Sequence, residues 1–329
     1  MSDQPTGGGG GAAPVDLSQN RRIHLVGVGG AGISAIGVIL ASMGHQVTGS
    51  DVTATSAFGS LAEAGVITEV VAPEALFSSA AAHGAEVVAH STAFAPTAQD
   101  RLDAEAAGVH LVNRAGILAA ICAARPTIAV SGTHGKTSTT ALLATLLEGV
   151  GADPSYLVGA VPVGLGRAAR WGGSTGSFVV EADESDGSFL ELGADTAVVT
   201  NIDEDHLDFW GSIDHIEAGF DRFLAAARSG VVCIDDPRVQ GAVDERALRV
   251  AERHQAVTVG EAAQARYRIH SVSVDRLTTT FGLVADGVEV GPVSIGTPGR
   301  HHARNAAVAL AHVTASSREG TQATSAHGR

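Results

Sequence analysis

Lysine is nearly absent from this chain. The 329 residues carry twenty arginines and a single lysine, Lys136. Aromatic residues make up only 4% of the total, so the cores must be built from Val, Ile, Leu and Ala. That mix suits parallel sheets covered by helices on both faces. Two cysteines, Cys122 and Cys233, are far apart and form no CxxC pair, which argues against a disulfide framework or a thiolate metal site. They read as small buried hydrophobes in a reducing compartment. No run approaches the ~20 apolar residues of a membrane span; the longest, 33–40, fits one helix face. No charged segment followed by an apolar one marks a secretory leader. The expectation is a cytoplasmic chain with no membrane insertion. A net charge of −14 argues against a nucleic-acid partner, since phosphate backbones demand a basic face. Substrate phosphates must instead be met by local devices: glycine loops, helix N-termini and bound metal.

The lone lysine lies in Ser131-Gly132-Thr133-His134-Gly135-Lys136-Thr137-Ser138, after the apolar run Thr127-Ile128-Ala129-Val130 and before a helical stretch expected over 139–147. A compact ammonium on a flexible stem can reach between the β- and γ-phosphates of a nucleotide where a planar guanidinium fits poorly. Neighbouring glycines let backbone N–H groups face phosphate oxygens, and the Thr137 hydroxyl can take a place on Mg²⁺. The motif is a shortened phosphate loop, because Val130 stands where a full one has glycine. Two further short strands, 178–180 and 196–200, each run into acidic loops: Glu181-Ala182-Asp183-Glu184-Ser185-Asp186 and Asn201-Ile202-Asp203-Glu204-Asp205-His206-Leu207-Asp208. Ligands of open α/β sheets bind outside the carboxyl ends of strands, so Glu181 and His206 are expected beside Lys136, with Mg²⁺ relieving the crowding of carboxylates. The other thirteen histidines are expected at the surface.

An earlier strand, 21–26, breaks into Gly27-Val28-Gly29-Gly30-Ala31-Gly32, followed by a helix over 33–42 and a second strand ending at Asp51. This is the opening of a doubly wound dinucleotide fold. The loop could hold NAD(P) or another pyrophosphate such as that of a UDP-sugar. Four units follow: a flexible glycine-rich tail over 1–20, a Rossmann-like parallel-sheet domain over 21–124, a P-loop-type α/β ATPase domain over 125–313, and an unfolded polar tail over 314–329. Segments 267–274 and 278–284 alternate with period two and predict a hairpin turning near Asp275-Arg276.

Taken together, Gly132–Thr137, Glu181–Asp186, Asn201–Asp208 and Gly299-Arg300-His301-His302-Ala303-Arg304-Asn305-Ala306 resemble the Mur ligase family of peptidoglycan synthesis. The loop at 27–32 and Asn113-Arg114-Ala115 point within it to the members that join L-alanine to UDP-N-acetylmuramate, before those that reattach recycled murein peptide. The resemblance implies ATP and Mg²⁺ as cofactors and amide formation through an acyl phosphate. It places Gly132, Thr133, His134, Gly135, Lys136, Thr137, Ser138 and Asn305 on ATP. Metal falls to Thr137 and Glu181, with a second ion at His206. Gly27, Gly29, Gly30, Gly32, Asp51 and Arg114 fall on the UDP-sugar. His302 stands where many relatives have asparagine. The resemblance further implies a C-terminal third domain that no residue here matches, and so little or no turnover by this chain alone. An NAD-dependent oxidoreductase leaves the second phosphate loop unexplained; an inactive nucleotide-binding regulator is the remaining alternative.

Overall fold

The computed structural model describes residues 14–235, 238 and 241–326. The first unit alternates strands β1 (Arg22–Val26), β2 (Gln46–Asp51), β3 (Ile67–Val70), β4 (Val87–His90) and β5 (His110–Asn113) with helices α1 (Ala31–Ser42), α2 (Ala57–Glu63), α3 (Ser78–Ala82) and α4 (Ala98–Ala106). Its sheet runs β3-β2-β1-β4-β5, parallel throughout. Parallel neighbours require a crossover between them, and the helices supply it while covering both faces. On β1 the residues Ile23, Leu25 and Val26 are therefore all buried, where a half-solvated strand would alternate. Ile33, Ile36, Ile39 and Leu40 form the inner face of α1 at helical spacing. Local signals set the helix starts: Thr97 and Asp100 make a reciprocal capping box on α4. Asn113 caps α5 (Arg114–Cys122) by accepting the Gly116 N–H at 2.8 Å.

The second unit begins at β6 (Thr127–Ser131), which leads into α6 (Lys136–Gly149). It continues through β7 (Ser155–Leu157), β8 (Ala169–Arg170), β9 (Phe178–Glu181) and β10 (Thr196–Val199) to the helices α7 (Leu207–Trp210) and α8 (Ile213–Ala226). After β11 (Ser229–Cys233), α9 (Glu245–Arg253) and β12 (Val257–Gly260) come the antiparallel strands β13 (Tyr267–Asp275), β14 (Thr278–Ala285) and β15 (Val288–Ile295), and the long helix α10 (Arg300–Ala326). One ten-stranded sheet results, in the order β15-β14-β13-β12-β11-β10-β6-β9-β7-β8. β6 lies at its centre, flanked in parallel by β10 and β9, so Ser131, Glu181 and Val199 end side by side. Small residues on α10 (Ala303, Ala306, Ala307) let it pack closely on Leu143 and Ala144 of α6 in one buried cluster. A second apolar cluster runs without interruption from Ile23 and Ile36 of the first unit to Phe189 and Phe220 of the second.

The two tails differ from expectation. Val15 is buried in the core and the Arg21 amide donates to His45 Nδ1, so the described part of 1–20 is anchored; residues 1–13 lie outside the described residues. At the other end α10 continues past Val313 to Ala326, where an unfolded segment was expected. The helix is already nucleated and packed through Val313, so each further residue adds one backbone bond, and 314–326 contains no proline to stop it. Residues 327–329 lie outside the described residues. The surface expectation for histidine also fails at three positions, His24, His45 and His312, all buried.

Candidate functional site

The segment between β6 and α6 turns on two glycines with positive φ, Gly132 (131°) and Gly135 (85°), a region closed to most side chains. A Cβ on Gly132 would meet Thr200 Oγ1 at 2.2 Å, and one on Gly135 would meet Asn305 Oδ1 at 2.8 Å. Asn305, on the second turn of α10, therefore rests against the loop. Helix α6 begins at Lys136, three residues earlier than expected, which puts the ammonium and the Thr137 hydroxyl in its first turn. The Thr139 amide bonds to Gly135 O, so the amides of Lys136, Thr137 and Ser138 precede the first intrahelical bond and face the positive end of the helix. Thr133 and His134 are tied elsewhere. The Thr133 amide donates to Asn201 O at 3.2 Å and the His134 amide to Asn201 Oδ1 at 3.0 Å. His134 O accepts from Thr200 Oγ1 and Asn201 Nδ2 at 2.6 and 2.7 Å. These residues buttress the loop, and phosphate-facing amides are left to the helix start.

The acidic strand ends converge on that start. Thr137 Oγ1 donates to Glu181 Oε1 at 2.9 Å, and the Gly159 amide donates to Glu181 Oε2 at 2.7 Å. A Cβ on Gly159 would lie 2.7 Å from the same carboxylate, so only glycine admits this approach. Lys136 Nζ donates to Glu184 Oε1 at 2.8 Å and to Gly132 O at 3.1 Å. The Glu184 side chain is 3% exposed and its other oxygen accepts from Ser131 Oγ at 3.5 Å. His206, in the left-handed region at φ 52°, brings Nε2 to 3.9 Å from Glu184 Oε1 and 3.7 Å from Asp205 Oδ2. Lys136, Glu181 and His206 are thus brought together, Glu181 through Thr137 beside Lys136 and His206 through Glu184, which stands between lysine and histidine. Sequence reasoning gave Glu184 no role of its own. Its position three residues after Glu181, behind the same strand, was the available signal.

The donor set fits magnesium. Thr137 and Glu181 offer a hydroxyl and a carboxylate, hard oxygen donors within hydrogen-bond reach of each other. Among the described residues no three His, Cys, Asp or Glu side chains form a metal cage.

In the first unit Gly27 adopts φ 78° and its amide donates to Ser50 O. Asp51 is buried: Oδ2 accepts the Gly29 amide at 2.8 Å and Oδ1 the Val52 amide at 2.7 Å. Thr55 Oγ1 donates to Gly29 O at 3.0 Å. Asp51 therefore shapes the loop from below. Gly30 caps α1. Arg114 lies over the first turn of α1: a Cβ on Gly32 would be 3.5 Å from Arg114 Cδ. Its Nη2 stands 3.7 Å from Asp186 Oδ2 of the second unit. His302 packs against His301 with ring centroids 4.1 Å apart and planes tilted by 45°, and burial, then His301, lowers its pKa. Nearby, Arg304 Nε lies 2.9 Å from the buried Asp235 carboxylate, which anchors the start of α10 to the end of β11. Burial raises the Asp235 pKa, while the amides of Glu261 and Ala262 and the Arg304 charge oppose the rise.

Residues 22–126 match the model of the Mur ligase family catalytic domain, and residues 130–313 that of the Mur ligase middle domain. The UDP-N-acetylmuramate–L-alanine ligase of Rhizobium meliloti (strain 1021) is 37% identical over 298 residues, covering 88% of this chain. The protein of the same name from Thermobifida fusca (strain YX) is 37% identical over 306 residues, covering 91% of this chain. The chain spans 61% of the length of each of these curated relatives. The crystal structure of UDP-N-acetylmuramate-alanine ligase from Thermotoga maritima matches the fold with a TM-score of 0.74 at 24% identity, covering 90% of this chain and 65% of that one.

Proposed function

The chain belongs to the Mur ligase family, and on that premise we propose that it carries the sugar-nucleotide and ATP sites of a ligase joining L-alanine to UDP-N-acetylmuramate. One observation supports this reading most: a single chain holds two strand–glycine loop–helix devices, of which only the second gathers a lysine, a hydroxyl, the buried carboxylate of Glu184 and the half-buried one of Glu181. An oxidoreductase would use the first and leave the second idle. Relatives at 37% identity are alanine ligases by name, which favours alanine over a recycled murein peptide as the acceptor.

In the proposed reaction the lactyl carboxylate of the sugar attacks the γ-phosphorus of ATP, and the bond to the β-bridging oxygen breaks to release ADP. The alanine amine then attacks the acyl carbon of the resulting acyl phosphate, expelling inorganic phosphate and losing a proton. Phosphoryl transfer of this kind needs in-line placement and charge neutralisation more than covalent help. The Lys136 ammonium would leave Glu184 for the β/γ-phosphates, and the amides of Lys136, Thr137 and Ser138 would face the phosphate oxygens. Thr137 and Glu181 would hold Mg²⁺, and His206 a second ion, neutralising the charge that accumulates on the transferred group. Asn305, against Gly135, would contact the adenine side. Gly32 and Arg114 would receive the UDP diphosphate, with Asp51 fixing the loop of Gly29 and Gly30, whose amides are already bonded to Asp51 and Gly27. Cytoplasmic location follows from these substrates; among the described residues no helix is long and apolar enough to cross a membrane.

Thermal unfolding of the chain with each ligand tests the proposal. A ligand at about 100 times its Kd stabilises by about 2.7 kcal/mol. ATP with Mg²⁺ and UDP-N-acetylmuramate should each raise the midpoint, and together they should raise it further. A shift with NADH and none with ATP would make the ligase reading wrong.

A further inference from the structure

Arg114 and Asp186 belong to different units, yet they meet. Arg114 is the first residue of α5 and its stem crosses Gly32 at the opening turn of α1. Asp186 ends the acidic segment that begins with Glu181 and Glu184. Its Oδ1 accepts the Ser188 amide at 3.0 Å, which leaves Oδ2 for Arg114 Nη2 at 3.7 Å. The first unit has no lysine, and its other arginines are placed elsewhere. Arg21 and Arg22 bond at the opposite end of β1, to Asp16 O and Gly84 O. Arg101 is exposed on α4, where its charge acts on His90 at the end of β4. Arg114 is the cation lying directly over the first turn of α1 at Gly32, and its ion-pair partner among the described residues is a carboxylate from the second unit.

We infer that Asp186 is an intramolecular competitor for the guanidinium that receives the sugar-nucleotide diphosphate, and that the pair is a latch linking the two sites. The inference rests on the assignment of the first loop to a UDP-sugar. A diphosphate offers a doubly charged, bidentate partner, which a guanidinium fork prefers over a half-exposed carboxylate at 3.7 Å. Occupation of the first loop draws Arg114 off Asp186. That releases the segment carrying Glu181 and Glu184 from its tie to the first unit. By linkage, any ligand that draws this segment away from the first unit, as a cation on Glu181 would, frees Arg114 in return, so each ligand strengthens the other by the same factor. Asp186 is a positioning residue here; it touches neither substrate.

Calorimetric titration of UDP-N-acetylmuramate into the wild-type chain and into Asp186→Asn, with and without a non-hydrolysable ATP analogue and Mg²⁺, tests the latch. The Asp186 side chain is 42% exposed, so the variant should fold. Without the ATP analogue, Asp186→Asn should bind the sugar nucleotide about fivefold more tightly, as expected for removing one partly exposed competing charge. The gap should narrow once the analogue is present, and in an Arg114→Gln background Asp186→Asn should change nothing. Equal affinities for wild type and Asp186→Asn, with both binding, overturn the latch and leave the assigned substrate standing. Binding by neither overturns the assigned substrate and the latch with it.

Discussion

The two glycine loops of this molecule share a shape and differ in charge. Each follows a buried parallel strand and opens a helix. In the first, the acid at the end of the next strand, Asp51, turns inward and spends its oxygens on the amides of Gly29 and Val52. The loop is thereby fixed before any ligand arrives, and the neighbouring cation is a guanidinium shared with the other unit. In the second, the loop is braced by uncharged groups, Thr200 and Asn201. Its acids, Glu181 and Glu184, instead stand in the cleft on Thr137 and Lys136. On the proposed assignment, the contrast teaches that a strand–loop–helix turn would define where phosphate goes, while the placement of acids would decide whether the site holds it or prepares it for transfer. A binding loop keeps its carboxylate below the backbone; a transfer loop presents carboxylates to metal and lysine.

Removing one acid charge from the second loop should have the largest effect on ligand affinity. Glu181→Gln is expected to weaken binding of the magnesium–ATP analogue about 100-fold, in line with loss of a charged ligand to a hard cation, and to leave the sugar nucleotide unchanged in titration. Equal loss of both ligands would erase the distinction between the loops.

Acid should act on both units in the same window. Burial, then His83, pushes His24 down to about 4, and burial alone pushes His312 to about 4. Their unfolded values stand near 6.5. The folded state thus binds fewer protons, so stability is fully present above pH 6.5 and falls as pH drops toward 4. At pH 5 each histidine should cost about 2 kcal/mol relative to pH 7, read as a shift in urea midpoint. His24→Gln and His312→Gln should each flatten part of that slope; a slope untouched by either would remove the explanation.

The smaller effect falls on the first loop. Asp51→Asn keeps the shape but loses a charge-assisted bond to Gly29, and is expected to weaken the sugar nucleotide about tenfold while ATP binding stays within about twofold.

Legibility in the sequence followed the same division. The strand–loop–helix units could be read because glycine and apolar runs are local signals, and so could the strands ending in Glu181 and ahead of Asn201. The hairpin of β13 and β14 was readable too, with Arg276 at φ 49° in its turn. Its third strand, β15, was not: Gly291-Pro292 interrupts its alternation in the middle. Helix α8 was passed over although Ile216, Phe220, Phe223 and Leu224 carry a helical period. The buried histidines were misread because nothing local marks them: His24 is satisfied by Thr48, Ser50 and Ser79, from other elements. The Arg114–Asp186 pair was invisible for that reason as well, being a product of how the two units are set against each other.

The most direct measurement compares the two ligands on Lys136→Ala. Titration should find magnesium–ATP affinity lost by at least about 100-fold while UDP-N-acetylmuramate binds within about twofold of wild type. A folded Lys136→Ala chain that still binds ATP normally, or that loses both ligands together, would contradict the assignment of two phosphate sites with separate chemistry.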